Sequence, residues 1–522
     1  MKVFLMYRDR DFDTQAVMPS NELLLTQDLE LKTLFNAMSG GDSTISEVVR
    51  KALLMGADSL NTIQYRQNIL KDCLKNASVV HSIYDIAVAS ITARKKHYYG
   101  IFTRYPDSVL RNALELMQVL VSLLIELKTI AETHIGAFDS EGFQAFFTML
   151  MDNLSDEYLL GIRNHMEYLR SRKGVLISAG LGTGNKGVRY MLHRFQEEKR
   201  IWWKQLWQAI GKCFFIRKQI ENIVRISERD ESGARVLTEL RNKGMNLVAD
   251  ALARSADHIL GFLDTLRMET AFYVGCLNLH DLLVEIEEPV CFPLPLSAER
   301  RKLQCIELYD VCLSLIMRRK VVGNDLNLEG KDLVIITGAN QGGKSTFLRS
   351  IGLSRLMMQC GMFVGARYFC SDVCAGVFTH YKREEDTAMN SGKLDEEISR
   401  MSDIADDIRP NSVLLFNESF AATNEREGSE IARQITCALM EKRVKVFFVT
   451  HQYEFARIFH EKKMDNVVFL RADRRQDGSR SFRLMENPPL ETSFGEDLYH
   501  SVFTGSLSGK KAGNTTYGSL HP

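Results

Sequence analysis

The most constraining feature of the sequence is an uninterrupted glycine loop that lies between a strand pattern and a helix pattern. Residues 338–346, Gly-Ala-Asn-Gln-Gly-Gly-Lys-Ser-Thr, fit the pattern G-x-x-x-x-G-K-[ST]. Residues 331–337 before the loop are rich in β-branched side chains, and residues 347–353 after it repeat apolar positions at helical spacing. A strand, a glycine loop and a helix in this order predict an α/β domain with a phosphate-binding site.

The loop residues provide both backbone and side-chain ligands for a nucleotide. Glycines allow backbone N–H groups to converge on a phosphate, and the helix N-terminus adds positive potential. Lys344 is predicted to reach the β- and γ-phosphates, and the Ser345 hydroxyl to bind Mg²⁺. The alternative, a glycine-rich turn with a chance Lys-Ser pair, is disfavoured by the flanking patterns. The predicted nucleotide contacts are Gly338, Ala339, Asn340, Gln341, Gly342, Gly343, Lys344, Ser345 and Thr346.

Composition limits the class of protein. A chain of 522 residues is too long for one core, so two or three domains are expected. Lys plus Arg equals Asp plus Glu at 66 each, so any nucleic-acid surface must be local. The ten cysteines include no C-x-x-C pair, the N-terminus does not resemble a signal peptide, and the apolar run 119–125 is too short to span a bilayer. These features predict a reducing, cytoplasmic setting, nucleoid-associated in a prokaryote.

The first part of the chain has the periodicity of helices. Apolar residues recur at spacings of three and four over residues 108–131, which predicts an amphipathic helix. Three of the nine prolines lie between residues 287 and 295, and the α/β pattern starts just after them. The proline-rich segment is therefore the expected end of an all-helical arm.

A basic segment interrupts the helical pattern. Between residues 163 and 218 there are 13 Lys or Arg residues against 3 Glu, together with all three tryptophans of the chain. Clustered cations and aromatic rings can contact a nucleic-acid backbone. A solvated basic helix with inward tryptophans has the same composition, so both interpretations stay open. The candidate DNA-contacting residues are Lys186, Arg189, Arg194, Lys199 and Arg200.

Within the basic segment, residues 182–187 match the G-x-G-x-x-G pattern of dinucleotide sites. The match follows a strand-like run, but no βαβ pattern surrounds it. We therefore interpret these residues as a glycine-rich hairpin or loop tip.

Two further strand patterns end in polar residues. Residues 413–416 are apolar and lead to Asn417 and Glu418, and residues 446–450 lead to His451. Ligands bind at the carboxyl ends of strands in open α/β sheets. Glu418 is therefore the candidate general base for water attack on a γ-phosphate, and His451 the candidate sensor of that phosphate. The alternatives are a carboxylate that caps a turn and a structural histidine.

Ser391 and Gly392 open an acidic helical segment between the glycine loop and the strand end at Glu418. In ATPases that sandwich nucleotide between two subunits, such a helix N-terminus faces the γ-phosphate held by the other subunit. Ser391 and Gly392 are therefore candidate nucleotide contacts in trans. A simple helix cap, which favours the same residue types, is the alternative.

With these motifs, residues 321–505 resemble the ATPase domain of the MutS family of DNA mismatch-repair proteins, a branch of the ABC-type ATPases. The glycine loop is similar to the family's G-P-N-M-G-G-K-S-T, with Ala339 and Gln341 in place of Pro and Met. The helical arm shows a weaker likeness to the family's core and lever region at residues 28–31 and 65–67. Segments similar to P-N-D-[IV], V-P-A, I-F-T-R and T-H lie at 323–326, 364–366, 377–379 and 450–451.

The resemblance implies an α + α/β multidomain protein. Its domains would be a helical core and lever arm at 1–320 with a short clamp-like segment near 163–218, an ABC-type ATPase domain at 321–505, and a flexible polar tail at 506–522. It implies ATP and Mg²⁺ as cofactors, with Ser345 and, through water, Asn417 on the metal. It also implies a homodimer that closes through its ATPase domains, because the signature segment of one copy completes the site of the other.

Three departures from the family pattern qualify these expectations. The family's D-E is Asn417-Glu418 here, and loss of the carboxylate charge predicts weak or slow hydrolysis. The signature S-T-F-M-V-E-M is matched only at Ser391, Gly392 and Glu396. The lever-like helices begin by about residue 28, so we expect neither the family's wedge domain, which reads mismatches with Phe-x-Glu, nor its connector.

The expected function is that of a dimeric, ATP-gated DNA clamp in DNA repair or recombination, acting on branched or distorted DNA, with repair proteins as further partners and no membrane. One alternative is a nucleotide-switched binding module that hardly hydrolyses ATP. Another is an ABC-like ATPase whose arm docks onto a protein partner. DNA affinity that falls steeply with salt separates the clamp from the last alternative.

Overall fold

The computed structural model of the chain describes residues 1–57, 59–98, 106–170, 176–181, 187–193, 231–383, 392–475 and 479–490. The chain forms two compact units. The helical unit comprises Met1–Lys2, Ser82–His134 and Phe147–Arg267, and the sheet unit comprises Val3–His81, Ile135–Phe146 and Met268–Pro522. The sheet unit therefore includes N-terminal helices as well as the glycine loop. The domain boundaries near residues 320 and 505 stay predictions.

Helices form most of the N-terminal part of the chain. Helix α6 confirms the helix predicted over residues 108–131, and its apolar residues Leu110, Leu120 and Leu127 are buried. The described helices are α1 (Glu22–Asp28), α2 (Leu31–Ser39), α3 (Ser43–Met55), α4 (Leu60–Lys75), α5 (Ala77–Tyr98), α6 (Pro106–His134), α7 (Glu141–Asn153), α8 (Asp156–Arg170), α9 (Glu231–Glu285), α10 (Val311–Met317), α11 (Lys344–Gln359), α12 (Lys393–Asp407), α13 (Glu425–Glu441) and α14 (Tyr453–Glu461).

The prediction of an all-helical arm is wrong at one hairpin. Strands β1 (Leu176–Leu181) and β2 (Gly187–His193) pair antiparallel, with Leu176 opposite His193. This pairing confirms the hairpin interpretation of the G-x-G-x-x-G match, since the two antiparallel strands lie on either side of it. The physical reason is local, because two short runs of strand-forming residues are separated by glycines that disfavour helix.

The described part of the sheet unit contains two sheets. The six-stranded sheet has the order β12-β11-β6-β10-β9-β8, and only β12 runs antiparallel to its neighbour. The four-stranded sheet has the order β3-β7-β4-β5. Their bounds are β3 (Leu294–Leu296), β4 (Lys302–Leu308), β5 (Asn324–Glu329), β6 (Leu333–Gly338), β7 (Tyr368–Asp372), β8 (Val377–Tyr381), β9 (Val413–Asn417), β10 (Lys445–Val449), β11 (Val467–Arg474) and β12 (Arg480–Glu486).

The strands predicted from apolar runs lie at the centre of the larger sheet. Strands β6, β9 and β10 are neighbours, and nearly every residue in them is buried. A parallel strand covered on both faces requires such a continuous apolar run, which is why these strands are visible in the sequence. Their carboxyl ends place Gly338, Asn417 and Val449 on the same edge of the sheet.

A buried carboxylate fastens the N-terminal segment within the sheet unit. Glu269 of α9 accepts hydrogen bonds from the backbone N–H groups of Leu5, Met6 and Phe12. The neighbouring Arg66 donates to the carbonyl of Met6 at 2.9 Å and to that of Cys360, just after α11, at 3.2 Å. Residues 5–12 are therefore held to α9, α4 and the end of α11.

Among the residues that the structure describes, none of the helices combines the length and the apolar character that crossing a bilayer requires.

Candidate functional site

The glycine loop joins β6 to α11 through a backbone that requires glycine at two positions. Gly338 and Gly343 have φ angles of +106° and +88°, which side chains disfavour. A Cβ at Gly338 would also lie 2.8 Å from the backbone nitrogen of Ala472 on the neighbouring strand β11. Non-glycine Gln341 adopts φ 57° between them. The loop is therefore a compact turn whose backbone surrounds the start of α11.

Lys344, the first residue of α11, is folded back onto the loop. Its Nζ donates hydrogen bonds to the carbonyl oxygens of Gly338 at 3.0 Å and Ala339 at 2.9 Å. Burial lowers the pKa of Lys344 to about 8, an effect that nearby Arg480 adds to and the carboxylate of Glu418 opposes. The Lys344 ammonium is thus held inside the loop by two neutral carbonyl oxygens. Phosphate oxygens, which are charged and therefore stronger acceptors, can take their place.

Ser345 and Asn417 meet across the loop and the end of β9. The Ser345 hydroxyl donates to Asn417 Oδ1 at 2.8 Å. Both side chains supply neutral oxygen atoms, the donor type that Mg²⁺ takes in proteins. The residues therefore fit Mg²⁺ by donor type, but they contribute no negative charge. Among the described residues, no group of three His, Cys, Asp or Glu side chains could hold a metal without a ligand's help.

Glu418 and His451 form a pair at the ends of β9 and β10. His451 Nε2 donates a hydrogen bond to Glu418 Oε1 at 2.8 Å. This hydrogen bond lowers the pKa of Glu418, partial burial opposes the effect, and Lys344 adds to it. Glu418 has φ 55°, and its backbone N–H donates to Val449 O, so the turn after β9 is tied to β10. Glu418 is therefore an ionised carboxylate at the predicted strand end.

One cavity of about 550 Å³ brings the predicted residues together. Its lining includes loop residues 340–346, Glu418 and His451. The rest of the lining comes from the end of β4, from α10, from the residues that follow α10 and from β12, and it includes the charged residues Asp310, Arg319 and Lys320. The apolar lining residues are Leu308, Leu313, Met317, Val321, Val322 and Phe482. The cavity therefore combines the polar groups of the loop with apolar side chains, as a nucleotide site requires.

The structure describes only two of the other predicted contacts. Gly392 precedes α12 as its N-cap residue, with an extended backbone. Arg189 lies in β2. Ser391, Lys186, Arg194, Lys199, Arg200 and the tail 506–522 lie outside the described residues.

The sequence interpretation missed three residues, of which Asn324 and Phe482 line the cavity and Arg480 contacts the glycine loop. Arg480 Nε donates to the carbonyl of Asn340 at 3.1 Å, and so supports the loop from β12. Asn324 donates to Phe482 O at 3.2 Å and accepts from Leu484 N at 2.7 Å, which fixes β12 beside β5. Of these three residues, only Asn324 was indicated by the sequence, because it lies in the segment 323–326 that resembles P-N-D-[IV]. The other two are brought in by strand pairing distant in sequence.

Comparison with known families agrees with this geometry. A model of the MutS2 N-terminal domain matches residues 58–286, and a model of MutS domain V matches residues 334–502. Together the two models cover more than half of the chain. The second match contains the loop from Gly338 onward as well as Glu418 and His451.

Individual relatives match smaller parts. The DNA mismatch repair protein MutS of Thermus aquaticus is 33% identical over 141 residues, 27% of this chain and 17% of that protein. MutS protein homolog 4 of Mus musculus is 31% identical over 147 residues, 28% of this chain and 15% of that protein. The MutS protein of Chloroflexus aurantiacus is 26% identical over 231 residues, 43% of this chain and 24% of that protein. The chain thus matches at most about a quarter of these relatives' length, and it belongs to the MutS family.

Proposed function

We propose that this chain binds ATP at residues 338–346 and hydrolyses it with Glu418 as the general base. The observation that carries the proposal is the meeting of Lys344, Ser345, Glu418 and His451 at one cavity. Membership of a family whose relatives are named DNA mismatch repair proteins supports the same activity.

Each side chain has a defined task in this proposal. Lys344 exchanges its loop carbonyls for the β- and γ-phosphates, which are stronger acceptors. Ionised Glu418 accepts the proton of the attacking water, and His451 holds that carboxylate in place. Ser345, and Asn417 through water, would hold Mg²⁺, which when bound neutralises charge on the phosphates.

The apolar side chains of the cavity fit the base and ribose. Phe482 and Val322 line the cavity and are each about half exposed, so they offer apolar surface that a purine ring can cover. This combination of polar and apolar groups supports a nucleoside triphosphate over a simple polyphosphate as the ligand.

The proposed active form is a homodimer of the ABC type. Gly392 opens α12, a 15-residue helix whose N-terminus carries partial positive charge suited to a γ-phosphate. In the proposal, Ser391 and Gly392 of one copy close the cavity of the other. Glu397 of α12 accepts from the backbone N–H of Phe420 at 2.8 Å, so this helix is fastened close to the turn after Glu418.

The proposed target is DNA, bound as a clamp on branched or distorted duplex. The support is the family's named relatives and the basic segment 163–218. Phosphate contacts release counterions, so the affinity should fall steeply with salt. Replacement of five basic residues by Gln should weaken binding to duplex and four-way-junction DNA and reduce its dependence on salt; the residues are Lys186, Arg189, Arg194, Lys199 and Arg200. Weak DNA binding that does not depend on salt in the unmodified chain would instead favour a protein partner.

A nucleotide-switched module with little hydrolysis is the second candidate, and Asn417 favours it. The strand end offers an amide where P-loop enzymes place an aspartate. If the amide limits turnover, Asn417→Asp should raise the rate of ATP hydrolysis. An unchanged rate would count against the amide as the cause.

Substitution of Lys344 tests the nucleotide site directly. Lys344→Ala should weaken ATP binding by at least about tenfold, because it removes a charge-assisted contact to phosphate. It should also abolish ATP-dependent dimerisation, measured by sedimentation velocity. Lys462→Ala, at an exposed position outside the cavity, is the matched control. Unchanged ATP affinity in Lys344→Ala would remove the site assignment.

A further inference from the structure

A second cavity lies on the metal side of the glycine loop. It measures about 560 Å³, and Ser345, Thr346 and Asn417 line it together with Lys382 and Arg383, which follow β8. Asp28, Glu30 and Glu396 also line it, as does Arg349. Glu396 forms an ion pair with Arg400 at 3.8 Å, and the charge of Glu30 acts on Arg349. Burial raises the pKa of Asp28, and the positive charges of Arg383 and Arg400 oppose part of that rise. Lys382 directly follows the last residue of β8, and its side chain is exposed.

The backbone holds Lys382 beside Asn417. Strands β8 and β9 are parallel, with Tyr381 opposite Asn417, and the N–H of Lys382 donates to the carbonyl of Asn417 at 2.9 Å. Among the described residues, the Lys382 ammonium forms no ion pair. The positive charge of Lys382 nevertheless reaches the site: like the hydrogen bond from His451, it lowers the pKa of Glu418.

The two side chains at the predicted metal position, Ser345 and Asn417, carry no charge. A P-loop site ordinarily combines a serine or threonine hydroxyl with an aspartate, whose charge attracts Mg²⁺. Here the strand end is the neutral Asn417, and the adjacent Lys382 repels a metal ion while attracting phosphate oxygens. Lys344 lines the first cavity and Lys382 the second, and Ser345 lines both.

We propose that Lys382 serves as a fixed cation for the terminal phosphates, so that this site binds ATP with little dependence on Mg²⁺. The proposal rests on the proposed function, because it concerns the same nucleotide. The ligand class is a nucleoside triphosphate without its divalent cation, and Mg²⁺ would contribute to turnover more than to binding.

Calorimetric titration of the full chain with ATP, in excess Mg²⁺ and in EDTA, tests this inference. In the unmodified protein the two Kd values should agree within about threefold. Lys382→Gln should raise the Kd in EDTA by about tenfold, the effect of losing one charge-assisted contact, and raise the Kd in Mg²⁺ much less. Lys382→Arg should keep the metal-free affinity, and Asn417→Asp should make binding prefer Mg²⁺. Lys462→Gln is the control for general charge.

The possible failures are distinguishable. If the unmodified protein binds ATP more than about tenfold less tightly in EDTA than in Mg²⁺, the inference is overturned and the proposed function stands. If Lys382→Gln raises the Kd for ATP by the same factor in EDTA and in Mg²⁺, the inference is also overturned, because the contribution of Lys382 would then not depend on the absence of the metal. Absence of ATP binding in either buffer, with Lys344→Ala indistinguishable from the unmodified protein, would instead overturn the proposed function.

Discussion

At the scale of single residues, the candidate site depends on where Glu418 is held. Its left-handed backbone costs about 1–2 kcal/mol for a residue with a side chain. The bond from its N–H to Val449 O and the bond from His451 to its carboxylate offset that cost. Strain that neighbouring contacts maintain is common where a side chain has a functional task.

Glu418→Gln should separate binding from hydrolysis. The amide keeps the size of the side chain and loses the basic carboxylate, so single-turnover ATP hydrolysis should fall by at least about 100-fold. ATP affinity should change little, because Lys344 and the loop remain. Glu441→Gln, an exposed change at the end of α13, controls for the loss of one charge. Hydrolysis at the unmodified rate in Glu418→Gln would exclude Glu418 as the base.

The buried ammonium of Lys344 predicts how ATP affinity depends on pH. Burial lowers its pKa to about 8 in the free protein, and phosphate oxygens favour the protonated form in the complex. Affinity should therefore be constant from about pH 7 to 8 and fall as pH rises further. Titrations between pH 7 and 9.5 measure this, and in Lys344→Ala the fall should disappear. A flat profile in the unmodified protein would contradict the assigned role.

At the scale of elements, a buried ion network joins the two sheets to the loop helix. Asp372 of β7 accepts from Lys445 of β10 at 3.0 and 3.2 Å, and from Arg355 of α11 at 3.3 Å. Burial tends to raise the pKa of Asp372, but the two cations lower it overall. The network connects the helix that follows the glycine loop to strands of both sheets.

Asp372→Ala should destabilise the sheet unit strongly. It leaves Lys445 and Arg355 buried without their carboxylate, which costs about 3–5 kcal/mol in the free energy of unfolding. Chemical denaturation followed by circular dichroism measures the loss. Replacing all three residues with apolar side chains should recover most of it, whereas Glu454→Ala in an exposed ion pair should change stability little. A small effect of Asp372→Ala alone would show that the network is not needed.

The elements that the sequence predicted are those with local signals. The apolar runs of β6, β9 and β10, the glycine loop and the periodicity of α6 are each contained in one short stretch. The Asp372 network, Lys382 beside Asn417 and Arg480 on the loop join residues far apart in the chain. No periodicity encodes such contacts, so they required the fold. The glycine pattern at residues 182–187 indicated the hairpin β1–β2, but the arm that contains it was still predicted to be all-helical.

At the scale of the whole molecule, α9 is the longest of the described elements. Its 55 residues extend over about 80 Å, and it contributes residues to both compact units. Within the sheet unit, Glu269 fastens α9 to residues 5–12, which Arg66 joins to the end of α11. In the proposed function, nucleotide binding at the start of α11 would act on α9 through these contacts, and so on bound DNA.

The measurement that tests the central claim most directly is ATP turnover with and without DNA. The unmodified protein should be compared with Glu418→Gln, each alone, with plain duplex and with a four-way junction. The proposed clamp predicts turnover that DNA stimulates, more by the junction than by the duplex, and that the substitution abolishes. Tight ATP binding without turnover, or turnover that ignores DNA and survives in Glu418→Gln, would contradict a DNA-coupled ATPase.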